Sequence, residues 1–299
     1  MNSLRVFFSG LWSLLAGFPK ILGGKKSGKP RTTAVVVDKE RAELLKAAKE
    51  GNTTAQLKLA VDYAEGRGVG QDYSQAVYWY RMAAVAGDMN GEFGYGVCLV
   101  NGQGVEQNYR EAVEWFHRAA MQGHAEAQVS LALCFQKELG VKGRQEEAAD
   151  WFHHAAEQGE PAGQIGFATC LQNGEGIKQD EAEALRWFRL AADKGIAEAQ
   201  YQLGLCYEKG QGVAMDWAQA FEWFMKAAEK HLSQAELRVS ICYYFGRGTQ
   251  ADIVEAYRWA TLSGNHGCIM AKEQRDRLVT EMSLDQIAQG DKLAGVAKA

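Results

Sequence analysis

The chain of 299 residues is 47% hydrophobic, enough for a sizeable buried core in one or two domains, and its three prolines permit long helices. Net charge is −4 but unevenly spread: Arg5, Lys20, Lys25, Lys26, Lys29 and Arg31 precede the first acidic residue, Asp38, so residues 1–37 carry +6 and the remainder −10. A body this acidic excludes nucleic acid as a partner held by non-specific electrostatics.

The first predicted element, over residues 1–22, is amphipathic. Leu4, Phe7, Phe8, Leu11, Leu14, Leu15, Phe18 and Leu22 share one helical face, and Arg5, Ser9, Ser13 and Lys20 lie opposite. The apolar stretch from Val6 to Pro19 is too short to span a bilayer, and Pro19 kinks or ends the helix. Three readings stay open. One is a helix lying on an anionic membrane surface through Phe7, Phe8, Leu11, Trp12, Leu15 and Phe18, with Lys25 and Lys26 behind it in residues 1–31. The others are a secretory signal or export anchor, for which no Ala-x-Ala cleavage site is present, and a tail that does neither. Residues 23–38 read as a basic Gly/Lys linker. Gly23 to Lys29 spells most of a phosphate-binding loop, but Pro30 replaces the required Ser or Thr and no strand precedes it. Residues 39–50 are expected as a helix that caps the N-terminal end of the main body.

From Gly51 the sequence repeats every 36 residues without a gap, with units starting at Gly51, Gly87, Gly123, Gly159, Gly195 and His231. Six units cover 51–266. Each has a first helix such as Ala199 to Tyr207, a Gly-x-Gly-Val turn such as Gly66 to Val69, and a second helix carrying Ala-x-x-Trp and an Ala-Ala pair. The tryptophans are Trp79, Trp115, Trp151, Trp187, Trp223 and Trp259; an aromatic comes next in five units, at Tyr80, Phe116, Phe152, Phe188 and Phe224. Asp72/Gln75, Asn108/Glu111, Asp180/Glu183, Asp216/Gln219 and Asp252/Glu255 have the spacing of a capping box. Repeat three departs, with Glu138 for the first turn glycine and Arg144 at the cap, so its loop should be the least regular. Residues 267–299 read as a C-terminal cap, with Arg275 in place of an apolar residue and Ser283/Gln286 opening a last helix.

Leu203-Gly204-x-x-Tyr207 with Ala220 to Phe224 after it resembles the tetratricopeptide repeat, but the period is 36 rather than 34. The longer unit, with its Gly-x-Gly-Val turn, Asp, Ala-x-x-Trp and Ala-Ala-x-x-Gly, is similar to the Sel-one-like repeat family over residues 51–266. The resemblance implies an all-α, right-handed α-solenoid of antiparallel helix pairs. It also implies a non-catalytic adaptor or scaffold, as in members serving bacterial virulence, signalling and envelope functions or endoplasmic-reticulum quality control. Two alternatives stay open: an exported hydrolase of the β-lactam type, like the family's cysteine-rich branch, and a structural spacer.

The residues bear on those alternatives. Cys98, Cys134, Cys170, Cys206 and Cys242 occur once in each of repeats two to six, so none can staple its own hairpin, whereas the cysteine-rich branch places two in each. They read as small buried thiols, either in a reducing, cytoplasmic setting or sheltered within the fold wherever the chain resides. His117, His153 and His154 read as a solvated face; no metal and no cofactor is expected. His-Glu-x-x-His, Gly-x-Ser-x-Gly and Ser-x-x-Lys are absent.

For a partner, the resemblance puts the first helices on the concave side. There Leu57, Phe93, Val129, Ile165, Tyr201 and Leu237 form one apolar row, and Val61, Val97, Leu133, Thr169, Leu205 and Ile241 a second. Two readings compete: a groove for a helical or extended protein segment, bordered by Asn101, Lys137, Asn173 and Lys209, or packing between tightly wound repeats.

Overall fold

The computed structural model describes residues 32–295, with side chains from residue 40. The amphipathic segment and its membrane-facing residues, Phe7 to Lys26, lie outside the described residues. Among those described are fifteen helices and no strand. The first, α1 (Thr32–Lys49), starts before the expected residue 39; no glycine or proline occurs between Pro30 and Gly51 to interrupt it.

Six helix pairs come after it: α2 (Thr53–Glu65) with α3 (Tyr73–Val85), α4 (Met89–Asn101) with α5 (Tyr109–Met121), α6 (Ala125–Gln136) with α7 (Gln145–Glu157), α8 (Pro161–Asn173) with α9 (Glu181–Asp193), α10 (Ala197–Lys209) with α11 (Trp217–Ala228), and α12 (Ser233–Phe245) with α13 (Ile253–Asn265). The chain ends in α14 (Ile269–Glu281) and α15 (Leu284–Leu293). Contacts divide it into two compact units, up to Gly163 and from Gln164. In the first, α1 to α6 each pack on the helix that comes next, ending at α7; in the second, α9 to α13 do the same, ending at α14, and α15 returns to pack on α13. This is an all-α solenoid of helix pairs.

The turn chemistry explains the period. Gly66, Gly102, Gly174, Gly210 and Gly246 end the first helices with φ between 66° and 71°, the left-handed conformation that closes a helix at little cost only in glycine. Glu138 takes that conformation in repeat three at φ 54°, against a penalty of about 1–2 kcal/mol for an L-residue. The second glycine has a different task. A Cβ at Gly104, Gly212 or Gly248 would collide with the backbone of Tyr73, Glu181 or Trp217, the first residue of the preceding repeat's second helix. At Gly68, which has no preceding repeat, a Cβ would meet nothing. This glycine therefore serves the junction between repeats.

Asp72, Asn108, Asp180, Asp216 and Asp252 cap the second helices from an extended backbone, each accepting one or two N–H bonds from the first turn. The complete reciprocal box forms at Ser283/Gln286. In the repeats the Asp or Asn half makes the cap; the third residue turns elsewhere, as Glu183 does toward the Trp187 indole N–H at 2.9 Å. Arg144 makes no side-chain cap, and its guanidinium lies 3.0 Å from Glu147.

The core runs between the first and second helices. Phe116, Phe152, Phe188 and Phe224 are at most 2% exposed, and the Ala-Ala pairs let the first helices approach closely. Of the regular tryptophans, Trp79 and Trp259 are buried, but Trp115, Trp151, Trp187 and Trp223 are half-buried. The residue after each tryptophan is thus the deeper one in these four repeats. In the C-terminal unit, α15 covers Tyr257, whose hydroxyl donates to Asp291 at 2.9 Å.

Candidate functional site

The five regular cysteines are buried, free thiols, and burial raises each pKa to about 12. They stay protonated at neutral pH and are poor nucleophiles. His117 and His154 lie edge-on to Trp151, with ring centroids 6.0 and 5.6 Å away, as parts of an aromatic surface cluster. A depression of about 500 Å³ in the C-terminal unit is lined by Tyr243, Asp252, Glu255, Arg258 and Trp259 among others. Its Arg258 is paired with Glu255 at 3.0 Å, and Asp252 caps α13. Its charged groups are thus occupied structurally.

The predicted apolar row divides by depth. Val129 and Ile165 are 0% exposed, so they are packing residues and cannot touch a partner in this conformation. In the second row Leu133, Val97 and Thr169 are buried as well. Phe93, Tyr201 and Leu237 stay half-buried, as do Leu57 and Leu205. Phe93 and Tyr201 hold the same position in repeats two and five and make the same contact: their rings lie 5.9 and 5.8 Å from Phe116 and Phe224. Phe93 also lies 4.6 Å, centroid to centroid, from the buried His124 ring, and the Tyr201 hydroxyl hydrogen-bonds the Arg238 side chain, so each ring is held on more than one side and stays half-buried. Of the bordering residues, Asn101 and Asn173 are exposed, and Lys209 is exposed too; Lys137 is half-buried, and desolvation lowers its ammonium pKa.

A second locus arises from a buried polar position in the first turn of the first helices. Gln56, Gln128 and Gln200 are buried there, and each side-chain N–H donates to a carbonyl in the last turn of the preceding helix: Ala48 at 2.9 Å, Ala120 at 3.2 Å and Ala192 at 3.2 Å. These bonds add a second donor to carbonyls that already accept the backbone N–H of Gly51, Gly123 and Gly195, and so tie each first helix to the turn before it. Two repeats carry a carboxylate instead. Glu92 accepts from the Gln122 amide at 2.7 Å. Glu236, on α12 and 0% exposed, meets His266 at the end of α13, with Nδ1 2.8 and 2.9 Å from its two oxygens. His231, exposed in the turn before α12, stacks edge-on to His266 at 5.0 Å between centroids. Burial pushes the Glu236 carboxyl pKa up, and the His266 hydrogen bond and the charges of His266 and His231 pull it back. The neighbouring Lys230 ammonium is taken up by the Gly195 carbonyl.

Sequence reasoning misses this cluster, because its members are 5 and 30 residues apart and fit no short metal motif. The available signal is departure from the repeat: His231 fills a glycine slot, Glu236 a slot usually held by glutamine, and His266 one held by Lys194 and Lys230 in the two preceding units.

The Sel1 repeat profile matches six consecutive segments, residues 53–88, 90–124, 125–160, 161–196, 197–232 and 233–268. The chain belongs to the Sel1 repeat family. The structure is similar to a Sel1 repeat protein from Oxalobacter formigenes, with 31% sequence identity and a TM-score of 0.70, over 79% of this chain and 68% of that one. It is also similar to a protective antigen present in uropathogenic Escherichia coli strains and displaying an SLR fold, with 28% identity and a TM-score of 0.56 over 85% of this chain. The match spans 62% of that E. coli chain. No curated protein matches the sequence. Sel1 repeat proteins are generally non-catalytic scaffolds for protein interaction. No helix among the described residues is long and apolar enough to cross a membrane.

Proposed function

We propose that this Sel1 repeat protein is a non-catalytic scaffold that holds a segment of another protein against the half-buried apolar residues of its first helices. The carrying observation is the pair Phe93 and Tyr201, one in each unit. Each is a large ring anchored on a core phenylalanine yet left half open. Anchored aromatics lose little side-chain entropy on binding and present much apolar area, which makes them effective contact points. Leu57 is a further half-buried apolar residue of the first helices in the N-terminal unit, and Leu205 and Leu237 are in the C-terminal one. Asn101, Asn173 and Lys209 offer polar groups at the ends of the same set of helices. Protonated thiols and internally paired charges favour this reading over the hydrolase.

The test compares wild-type protein with Phe93→Ala and Tyr201→Ala in quantitative capture of a partner from the source cell. Both variants should fold, with stability lowered by about 1–2 kcal/mol for part of a buried aromatic, and should lose capture by tenfold or more, about 1.4 kcal/mol. Lowered stability with unchanged capture would make the rows packing residues only.

A further inference from the structure

We propose that His231, Glu236 and His266 form a binding site for one divalent transition-metal ion, with Zn2+ the best chemical match. Two imidazoles and a carboxylate are a donor set that Zn2+ accepts with a fourth position left to water or another ligand. Calcium and magnesium prefer oxygen-only cages. The donor atoms of all three residues lie within 4.8 Å of one another. Ligands on a tetrahedral zinc with bonds of about 2.0–2.1 Å sit about 3.3 Å apart, so modest side-chain rotations complete the site.

The supports differ in kind. Glu236 is fixed by α12, with a side chain 1% exposed, whereas His266 is 34% exposed. The carboxylate is thus a rigid, desolvated anchor, and the histidines form the open rim. A divalent ion between His266 Nδ1 and the Glu236 oxygens, now 2.8 Å apart at the nearer one, would place two positive charges beside a buried carboxylate. His231 adds an independent observation. Its backbone holds φ 62° where the five preceding repeats start with glycine, a conformation most side chains avoid. That turn brings the His231 ring to 5.0 Å from the His266 ring, centroid to centroid. The ion would clip the α11–α12 turn, the start of α12 and the end of α13, all within the C-terminal unit.

The fold itself supplies the test variants. His231→Gly and Glu236→Gln restore residues used at those positions by sister repeats, as in Gly195 and Gln200, so both should fold. A full-length Cys268→Ser background removes the half-buried thiol near the end of α13 from competition. In that background, calorimetric titration should show one Zn2+ per chain and a raised Tm, while Mg2+ changes neither. Co2+ should give the visible bands of a tetrahedral nitrogen and oxygen site without thiolate charge transfer. Each variant should weaken Zn2+ binding by at least about tenfold, the loss that accompanies removal of even an outer-sphere partner. Absence of Zn2+ binding to the parent protein, or wild-type affinity in His231→Gly, would overturn the proposal and leave Glu236–His266 as a hydrogen-bonded pair.

Discussion

At the scale of single residues, the thiols show how a periodic residue type is interpreted by its surroundings. Cysteine every 36 residues suggests buried packing, and five thiols sit in the core with pKa values raised to about 12. The sixth, Cys268, is half-exposed. Native protein at pH 8 should therefore react with a thiol reagent at Cys268 alone, and at all six after denaturation, as counted by mass spectrometry. Rapid native modification of Cys206 would contradict its burial. The depth of the apolar row is less legible. Val129 and Ile165 disappear beneath their neighbours, whereas Leu57, Phe93, Tyr201 and Leu237 at the same repeat position stay half-buried, a difference that side-chain size does not track. Hydrophobic pattern records which face a residue occupies, not how much of it the neighbouring helix can hide.

At the scale of helices, the ends carry the information. Caps and turns are readable because their chemistry is local: an Asp at the N-cap, a glycine at positive φ. The spacing overstates the reciprocal half of the box, since Glu111 and Glu183 have competing partners on their own helices in Trp115 and Trp187. The buried glutamine position is invisible in the sequence because its acceptors belong to another helix, eight residues upstream at Ala48, Ala120 and Ala192. It yields a prediction at Glu92, whose carboxyl pKa burial raises, offset in part by the Gln122 hydrogen bond and the Arg118 charge. Folded protein holds that proton more tightly than unfolded protein, so wild-type stability from this group is present in acid and is lost as pH rises through the raised pKa. Glu92→Gln, which restores the usual donor, should therefore be more stable than wild type at pH 7 by up to about 1 kcal/mol, the net value of one hydrogen bond. The advantage should vanish below the ordinary carboxylate range. Urea unfolding at both pH values measures it; a variant less stable at pH 7 would contradict the assignment.

At the scale of the molecule, the period supplies fold class and repeat boundaries because each unit is a self-similar hairpin whose faces need neighbours. The same regularity conceals function: positions that keep the period are mostly occupied by packing, and the informative residues either stay half-buried within it, like Tyr201, or break it, like His231. Partner identity is written in surface residues that the repeat does not constrain. The most direct test of the scaffold reading replaces Tyr201 with a photo-cross-linking amino acid in the full chain and, as a control, Arg186, whose side chain on α9 is 77% exposed. Irradiation in the source cell should give a discrete protein adduct from position 201 that position 186 does not give. No adduct at 201, or the same adducts from both positions, would contradict a partner held on the first helices.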